Sequence, residues 1–356
     1  MGGSRVLGEL LDRAGVSSHV DTYAGMLREK TLQRRVLEAG VSLGEVARND
    51  DLTSDERLAQ TDRVVRAVFE KGAPGGLSHG KNGVSEHGEI VEHAETVDGG
   101  IIGIRSGIQG LDMGLGGLRP GWQVLVMAAA GVGKSALAIN NLALECARGG
   151  KTVAIFSLEM TRGQVMGRLI AAESGVPYHV QCRGQMKKKD RAAYERAVPV
   201  VGDLPIFVDE GEGLGIDALS ARCRSLSYER GGIGMVILDY IQLMEADTTR
   251  RNWNRTEELS QITRTLKRLA KELSCVVVTL SQPTAEGARG GRLTLAHAKG
   301  SQSIGADVDV AILINRTDGG EVTIDVAKFR HGPPFRVDAT EMRWNGARMQ
   351  FQDGGF

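Results

Sequence analysis

An apolar run enters a glycine-bearing loop and leaves it as an apolar-periodic helix: WQVLVMAAAGVGKSALAINNLAL, from Trp122. That order of strand, loop and helix is what a triphosphate-binding loop requires. Gly131 and Gly133 let backbone N–H groups turn toward phosphate oxygens, and the helix that follows presents its positive N-terminus to the same anion. The backbone of Ala128, Ala129, Ala130, Gly131, Val132 and Gly133 is expected to wrap the phosphates. Lys134 reaches the terminal ones, and the Ser135 hydroxyl is placed to ligate Mg²⁺. The strict motif has glycine five residues before Gly133; here that position is Ala128, which fits if its φ is negative.

A nucleotide site also needs a metal-holding acid at a strand end, and Met235–Asp239 supplies four apolar residues followed by Asp239. Phe156–Met160 ends another apolar run with Glu159. If that strand neighbours the phosphate-loop strand, Glu159 points at the γ-phosphate and can polarise an attacking water. A third run, Val276–Gln282, ends in an amide, Gln282, able to meet a γ-phosphate with one group and a moving loop with the other. Candidate strands are Trp122–Ala128, Thr152–Ser157, Ile206–Val208, Met235–Leu238, Val276–Leu280, Val310–Ile314 and Val322–Ala327. Near-continuous apolar runs belong to strands covered on both faces, and helical patterns separate them. The expected fold is therefore α/β, a doubly wound, mostly parallel sheet. The clearest helix is Thr256–Leu273, with leucines and isoleucine at three- and four-residue spacings.

Ahead of this domain, expected over 101–356, residues 1–71 read as a small helical region. One helix is expected from about 20 to 48, with Val36, Leu37 and Val41 on its apolar face. A second is expected over Ser54–Glu70, with Ser54 as cap and Leu58, Val64, Val65, Val68 and Phe69 inward. Two such helices cannot build a large core alone and are expected to dock on something, a neighbouring subunit being one candidate. Eight glycines over 72–100 mark a flexible connector, whose His79, His87 and His93 fit no standard metal-ligand spacing. The 44 basic residues equal the 44 acidic ones, so any nucleic-acid binding must come from locally placed cations. Aromatic residues are 4% of the chain, which argues against a base-stacking platform. Four dispersed cysteines read as reduced, buried thiols. The N-terminus lacks the apolar stretch of a signal peptide and no segment is long enough to span a bilayer, so a cytoplasmic protein with no membrane partner is expected.

Taken together, these runs resemble the replicative hexameric helicases of the DnaB type. The matching segments are GIRSGIQGLDMGLGGLRPG from Gly103, the phosphate loop, SLEM at Ser157–Met160 and LDYIQLM at Leu238–Met244. NRTEELSQITRTLKRLAKEL from Asn254, LSQ at Leu280–Gln282 and KFRHGP at Lys328–Pro333 complete the set. YAGMLREKTLQRRVLEAG at Tyr23–Gly40 is similar to the family's linker helices, which pack on the adjacent subunit. The resemblance implies a RecA-like P-loop ATPase using ATP and Mg²⁺. Lys134, Ser135 and Asp239 would bind phosphates and metal, Glu159 would be the catalytic carboxylate and Gln282 the γ-phosphate sensor. Arg168 matches a family arginine at the nucleotide. Lys328 and Arg330 match a basic pair supplied in trans to the next subunit's ATP.

The same resemblance implies a homo-hexamer translocating 5′ to 3′ on single-stranded DNA and unwinding duplex. In the family, a channel-facing loop holds the strand. Here the corresponding loop carries Lys299, Gly300 and Gln302, with one cation where the family has an Arg-Glu pair, and Arg289 and Arg292 stand nearby. A helicase loader or primase would be protein partners, in a bacterial or phage-infected host cytoplasm. The family's globular domain ahead of the linker is represented by at most its last segment, about residues 4–20. The competing expectation is a RecA- or clock-type ring or filament ATPase that binds DNA without unwinding.

Overall fold

The computed structural model describes residues 20–70, 80–211, 214–239, 241, 255–285, 287, 291–298, 305, 307–317 and 320–354. The chain divides into two compact units, Met1–Gly80 and Lys81–Phe356. The first carries α1 (Val20–Arg48) and α2 (Ser54–Glu70), which pack on each other. Both helices lie where the apolar periodicity put them, but the cap differs. Thr53, not Ser54, caps α2: its hydroxyl accepts from Glu56 N–H at 3.3 Å while the Glu56 carboxylate accepts Thr53 N–H at 2.9 Å. This reciprocal pair needs an acid three residues after the cap, and only Thr53 has one there, Glu56; Ser54 is followed at that spacing by Arg57. The bond from the Thr53 backbone is also the main cause holding the Glu56 carboxyl below its ordinary pKa. Val36, Leu37, Val41 and Val65 remain exposed, so Val65 is not the inward residue expected.

The expected connector over 72–100 is in part regular structure, because Gly80–Thr96 form helix α3. Gly80, Gly83 and Gly88 each disfavour a helix by about 1 kcal/mol relative to alanine, yet they do not forbid it. Beyond Gly88 the run Glu89–Glu95 contains no breaker, and the local pattern outweighs the glycine signal. His87 and His93 stand exposed on α3, and His79 lies outside the described residues. No group of three potential metal ligands gathers among the described residues.

An eight-stranded sheet organises the second unit in the order β3-β2-β4-β5-β1-β6-β7-β8. The strands are β1 (Gln123–Ala128), β2 (Val153–Ser157), β3 (Ile206–Asp209), β4 (Met235–Asp239), β5 (Val276–Ser281), β6 (Val310–Arg316), β7 (Val322–Phe329) and β8 (Phe335–Val337). From β3 to β6 every pairing is parallel; β7 runs antiparallel to β6, and β8 antiparallel to β7. The central strands β1, β2, β4 and β5 are buried throughout, as their apolar composition requires. Seven of these eight strands coincide with the expected runs. Helices α4 (Gln109–Leu115), α5 (Ala136–Ala143, with π-type hydrogen bonds, continuing helically over Leu144–Arg148), α6 (Arg162–Ser174), α7 (Tyr178–Cys182), α8 (Lys188–Gly202), α9 (Ile216–Arg230) and α10 (Arg255–Glu272) complete the layers. Leu137, Ile139, Leu142, Val165 and Leu169 join one apolar cluster with the strands; Leu219, Cys223, Leu259, Ile262 and Leu266 build another. Cys146, Cys223 and Cys275 are buried, and burial drives the Cys146 and Cys275 thiols up to about 12; Cys182, expected buried, is exposed. No described helix is long and apolar enough to cross a membrane.

A two-stranded hairpin, β9 (Met342–Asn345) and β10 (Gln350–Asp353), closes the described chain. Sequence periodicity did not reveal it. β10 packs on α5, directly behind the phosphate loop.

Candidate nucleotide site

The parallel strands carry their carboxyl ends to one edge of the sheet, the place where open α/β sheets receive ligands. β1 ends at Ala128, paired with Ile314 on β6, and the chain then turns through Gly131 and Gly133, whose φ values are +77° and +117°. Ala128 keeps a negative φ: the positive-φ non-glycine residues among those described are Ser274 and Met349. The missing motif glycine therefore imposes no backbone strain. Gly133 is confined by packing as well. A Cβ there would lie 2.8 Å from the Phe351 ring, which β10 inserts beneath the loop.

Asp239, fully buried at the end of β4, gathers the polar groups. Its Oδ2 accepts the Ser135 hydroxyl at 2.8 Å, and its Oδ1 stands 3.3 Å from Lys134 Nζ. A buried carboxylate persists only with such partners. Leu158 N–H donates to Asp239 O at 2.9 Å and Ser157 pairs with Asp239, so the Ser157–Met160 turn is fastened to the same strand end. Glu159, exposed, leads out of that turn. The expected adjacency is corrected here. β2 does not neighbour β1, because β4 and β5 lie between them, and Glu159 comes to the site's edge only because all four strands share one direction. Gln282 directly follows β5, whose Ser281 pairs with Met127, which sets it level with the start of the phosphate loop. Arg168 is half-buried on α6, which packs against α5, and its Nε is buried without a hydrogen-bond partner.

Hydroxyl and carboxylate oxygens suit Mg²⁺. Left-handed glycines, a lysine and a helix start suit a polyphosphate. The donor set thus fits both groups.

Lys328 and Arg330 lie elsewhere. β7 is antiparallel to β6, and Lys328 pairs with Ala311, which pairs with Leu125. Arg330 N–H donates to Asp309 O, and Asp309 N–H donates to Gln123 O. Arg330 is thus level with the first residue of β1. Ala128 lies five residues further along, about 17 Å at ~3.4 Å per residue. Arg330 thus stands at the opposite end of the strands from its own phosphate loop, and Lys328 lies between, level with Leu125. Lys328 lies on β7 itself, whereas Arg330 lies just past its end. A bulge at Ala311/Ile312 interrupts β7's register, and Arg330 stands in the turn beyond it. Burial, with Arg330 beside it, lowers the Lys328 pKa, and its ammonium donates to Gly305 O at 2.6 Å.

Of the expected DNA contacts, Arg289, Lys299, Gly300 and Gln302 lie outside the described residues. Arg292 forks onto the buried Asp325, with Nε at 2.9 Å.

Several site residues escaped the sequence reading. Asn140 and Asn141 are fully buried on α5 and clamp β10: Asn140 Nδ2 donates to Met349 O (2.8 Å), Asn141 Nδ2 donates to Phe351 O (2.8 Å), and Asn141 Oδ1 accepts Phe351 N–H (3.0 Å). Two adjacent amides inside an otherwise apolar helix were the available signal. A π-type turn, uncommon and concentrated at functional sites, carries both. Phe351→Ala should therefore destabilise the domain by about 3–5 kcal/mol and weaken nucleotide binding together. Denaturant titration alongside fluorescent-nucleotide affinity checks this, and unchanged stability would mean that the hairpin does not brace the loop.

Comparison with known proteins agrees with this geometry. The family model described as the DnaB-like helicase C-terminal domain matches residues 103–353. The replicative DNA helicase DnaB of Geobacillus stearothermophilus is 30% identical over 94% of this chain and 75% of its own length. That of Haemophilus influenzae is 30% identical over 99% of this chain and 78% of its own length. Among solved structures, the ATPase domain of G40P is 26% identical, with a TM-score of 0.69 over 76% of this chain and 97% of its own. A DnaB-like replicative helicase structure described with its primase interactions shares the fold at a TM-score of 0.76 and 22% identity, over 99% of this chain and 83% of its own. A family match over well more than half of the chain, with relatives of this identity and coverage, establishes that the chain belongs to the DnaB-like helicases.

Proposed function

We propose that this chain is the ATP-hydrolysing motor of a replicative DNA helicase that works as a homo-hexameric ring around single-stranded DNA, moving 5′ to 3′. One observation carries the assembly: the phosphate loop and Arg330 lie at opposite ends of β1, about 17 Å apart along the strand. A single chain cannot bring both to one nucleotide, whereas head-to-tail copies can, and a heterologous contact of this kind makes a ring when its rotation closes.

In this reading the backbone of 128–133 and Lys134 hold the phosphates, with Arg168 as a further donor. Ser135 and Asp239 hold Mg²⁺, which when bound neutralises phosphate charge. Glu159 orients and deprotonates the attacking water, and Gln282 senses the γ-phosphate from the neighbouring strand end. Arg330, with Lys328, reaches the neighbouring subunit's nucleotide and stabilises the charge that develops on the transferring phosphoryl. Hydrolysis then depends on assembly. Lys299, Gly300 and Gln302, with Arg289 and Arg292, are the proposed strand contacts, sequence-independent and salt-sensitive. Residues 1–71 serve as the helical linker, 72–100 as the connector that α3 partly structures, and 101–356 as the motor. A primase or a helicase loader is the proposed protein partner. A neighbour described with its primase interactions supports the first. The proposed place of work is the cytoplasm of a bacterial or phage-infected cell, in keeping with bacterial relatives.

Strand displacement on tailed duplexes tests this. Displacement with ATP and Mg²⁺ is expected on a forked duplex and on a substrate whose loading strand has a 5′ tail, and not on one with a 3′ tail alone. DNA-dependent ATP turnover with no displacement on any of them would instead favour a ring or filament ATPase that binds DNA without unwinding.

A further inference from the structure

Arg330 does not stand alone at its edge. Asp309, 1% exposed at the foot of β6, reaches three groups from three elements. Its Oδ1 lies 3.3 Å from Arg330 Nε; its Oδ2 accepts Gln123 N–H at 2.8 Å and receives the Lys267 ammonium from α10. Lys267 also donates to Gly121 O at 2.8 Å, so the carboxylate is fixed from the β1 entry and from α10 at once. The turn carrying Arg330 is braced on its other side. His331 stacks on Trp122 with ring centroids 5.1 Å apart, and Phe329 meets the same indole edge-on at 5.7 Å. The Arg330 guanidinium is thus ion-paired to a fixed, buried carboxylate, and its side chain is 44% exposed.

We infer that Asp309 is the positioning residue for the trans-acting arginine: its buried, anchored charge holds the Arg330 guanidinium so that it meets the neighbouring subunit's nucleotide in a fixed pose. This rests on the reading of Arg330 given above. The physical case is that a long arginine on a turn samples many rotamers, and a reacting geometry tolerates little of that. A displacement of about 1 Å can cost on the order of 10²-fold in rate. Neutralising the anchor while keeping its shape, Asp309→Asn, should lower kcat of the assembled ring on the order of 10²-fold with ATP affinity unchanged. The Lys267 ion pair gives Asp309 a competing, purely structural use, and the test must separate the two.

Mixed rings do so. Lys134→Ala subunits keep an intact Arg330 edge and lack a working phosphate loop; Asp309→Asn subunits are the reverse. Equal mixing creates, at about one interface in four by random assortment, an intact loop facing an intact arginine. Phosphate release is expected to rise well above the sum of the two parents, which a general folding defect in Asp309→Asn would not allow. The double variant Asp309→Asn/Arg330→Ala should be no slower than Arg330→Ala alone, as for residues acting in series. Lys267→Met, which leaves Arg330 its carboxylate, should keep kcat within about threefold. A loss as large as that of Arg330→Ala would show that Asp309 matters only by anchoring α10, and would overturn the inference even if Asp309→Asn does not fold. The control pair, Arg330→Ala mixed with Lys134→Ala, must recover. If it does not, the trans reading falls and the inference with it. If it recovers while the Asp309→Asn mixture does not, or if Asp309→Asn alone turns over at the parental rate, only the inference falls.

Discussion

Lys134→Ala should lower ATP turnover on the order of 10³-fold or more, to the background of the assay. The lysine is buried to 8% exposure beside Asp239, and its charge is held where backbone N–H groups and the start of α5 already favour an anion. In the proposed reading, removing it deletes the cation that balances phosphate charge as it shifts toward the leaving oxygen, an effect concentrated in the transition state. The fold should survive, because Asp239 keeps its 2.8 Å bond from Ser135 and the strand pairing on both sides of β4. Circular dichroism and subunit mass establish that point before rates are compared. Lys134→Arg is expected to stay inactive. The planar guanidinium fork cannot replace a compact ammonium in a pocket bounded by Asp239 and the loop backbone. Phosphate release at the parental rate in either variant would remove Lys134 from the site.

Much of this candidate site is legible in the sequence because its signals are local. Strands buried on both faces have to be apolar, so β1, β2, β4 and β5 announce themselves, and an Asp, Glu or Gln following such a run is conspicuous. What stayed hidden depends on tertiary partners. Strand order is one case: nothing near Glu159 states that β4 and β5 intervene before β1. The β9–β10 hairpin is another. Its Met-Arg-Trp-Asn and Gln-Phe-Gln-Asp strands mix polar and apolar residues, and β10 draws part of its hydrogen bonding and packing from Asn141 and the underside of Gly133. Helix α3 was masked by its own glycines, since a breaker lowers helix stability by an amount that a run of good formers can exceed. Asp309 lies in a stretch that reads as the polar lead-in to a strand. Only the folded chain shows three elements converging on its carboxylate.

Arg330→Ala should abolish ring-dependent hydrolysis, by about 10³- to 10⁵-fold in kcat, while ATP affinity changes little. The asymmetry follows from where the residue sits. About 17 Å of β1 separates Arg330 from the phosphate loop of its own chain, so its loss leaves every contact that binds the nucleotide ground state intact. In the proposed ring, what disappears is a charge supplied from the neighbour as the phosphoryl group transfers, which lowers kcat rather than raising KM. Concentration dependence adds an independent check. In the parental protein, specific activity should rise with protein concentration as rings form, and in Arg330→Ala it should stay flat although native mass shows the same oligomers. Two results would count against this. One is an unassembled chain that hydrolyses ATP as fast as the ring, which leaves nothing for a neighbour to supply. The other is an Arg330→Ala ring with a raised KM and a parental kcat, which would make the arginine a ground-state contact and detach Asp309 from catalysis as well.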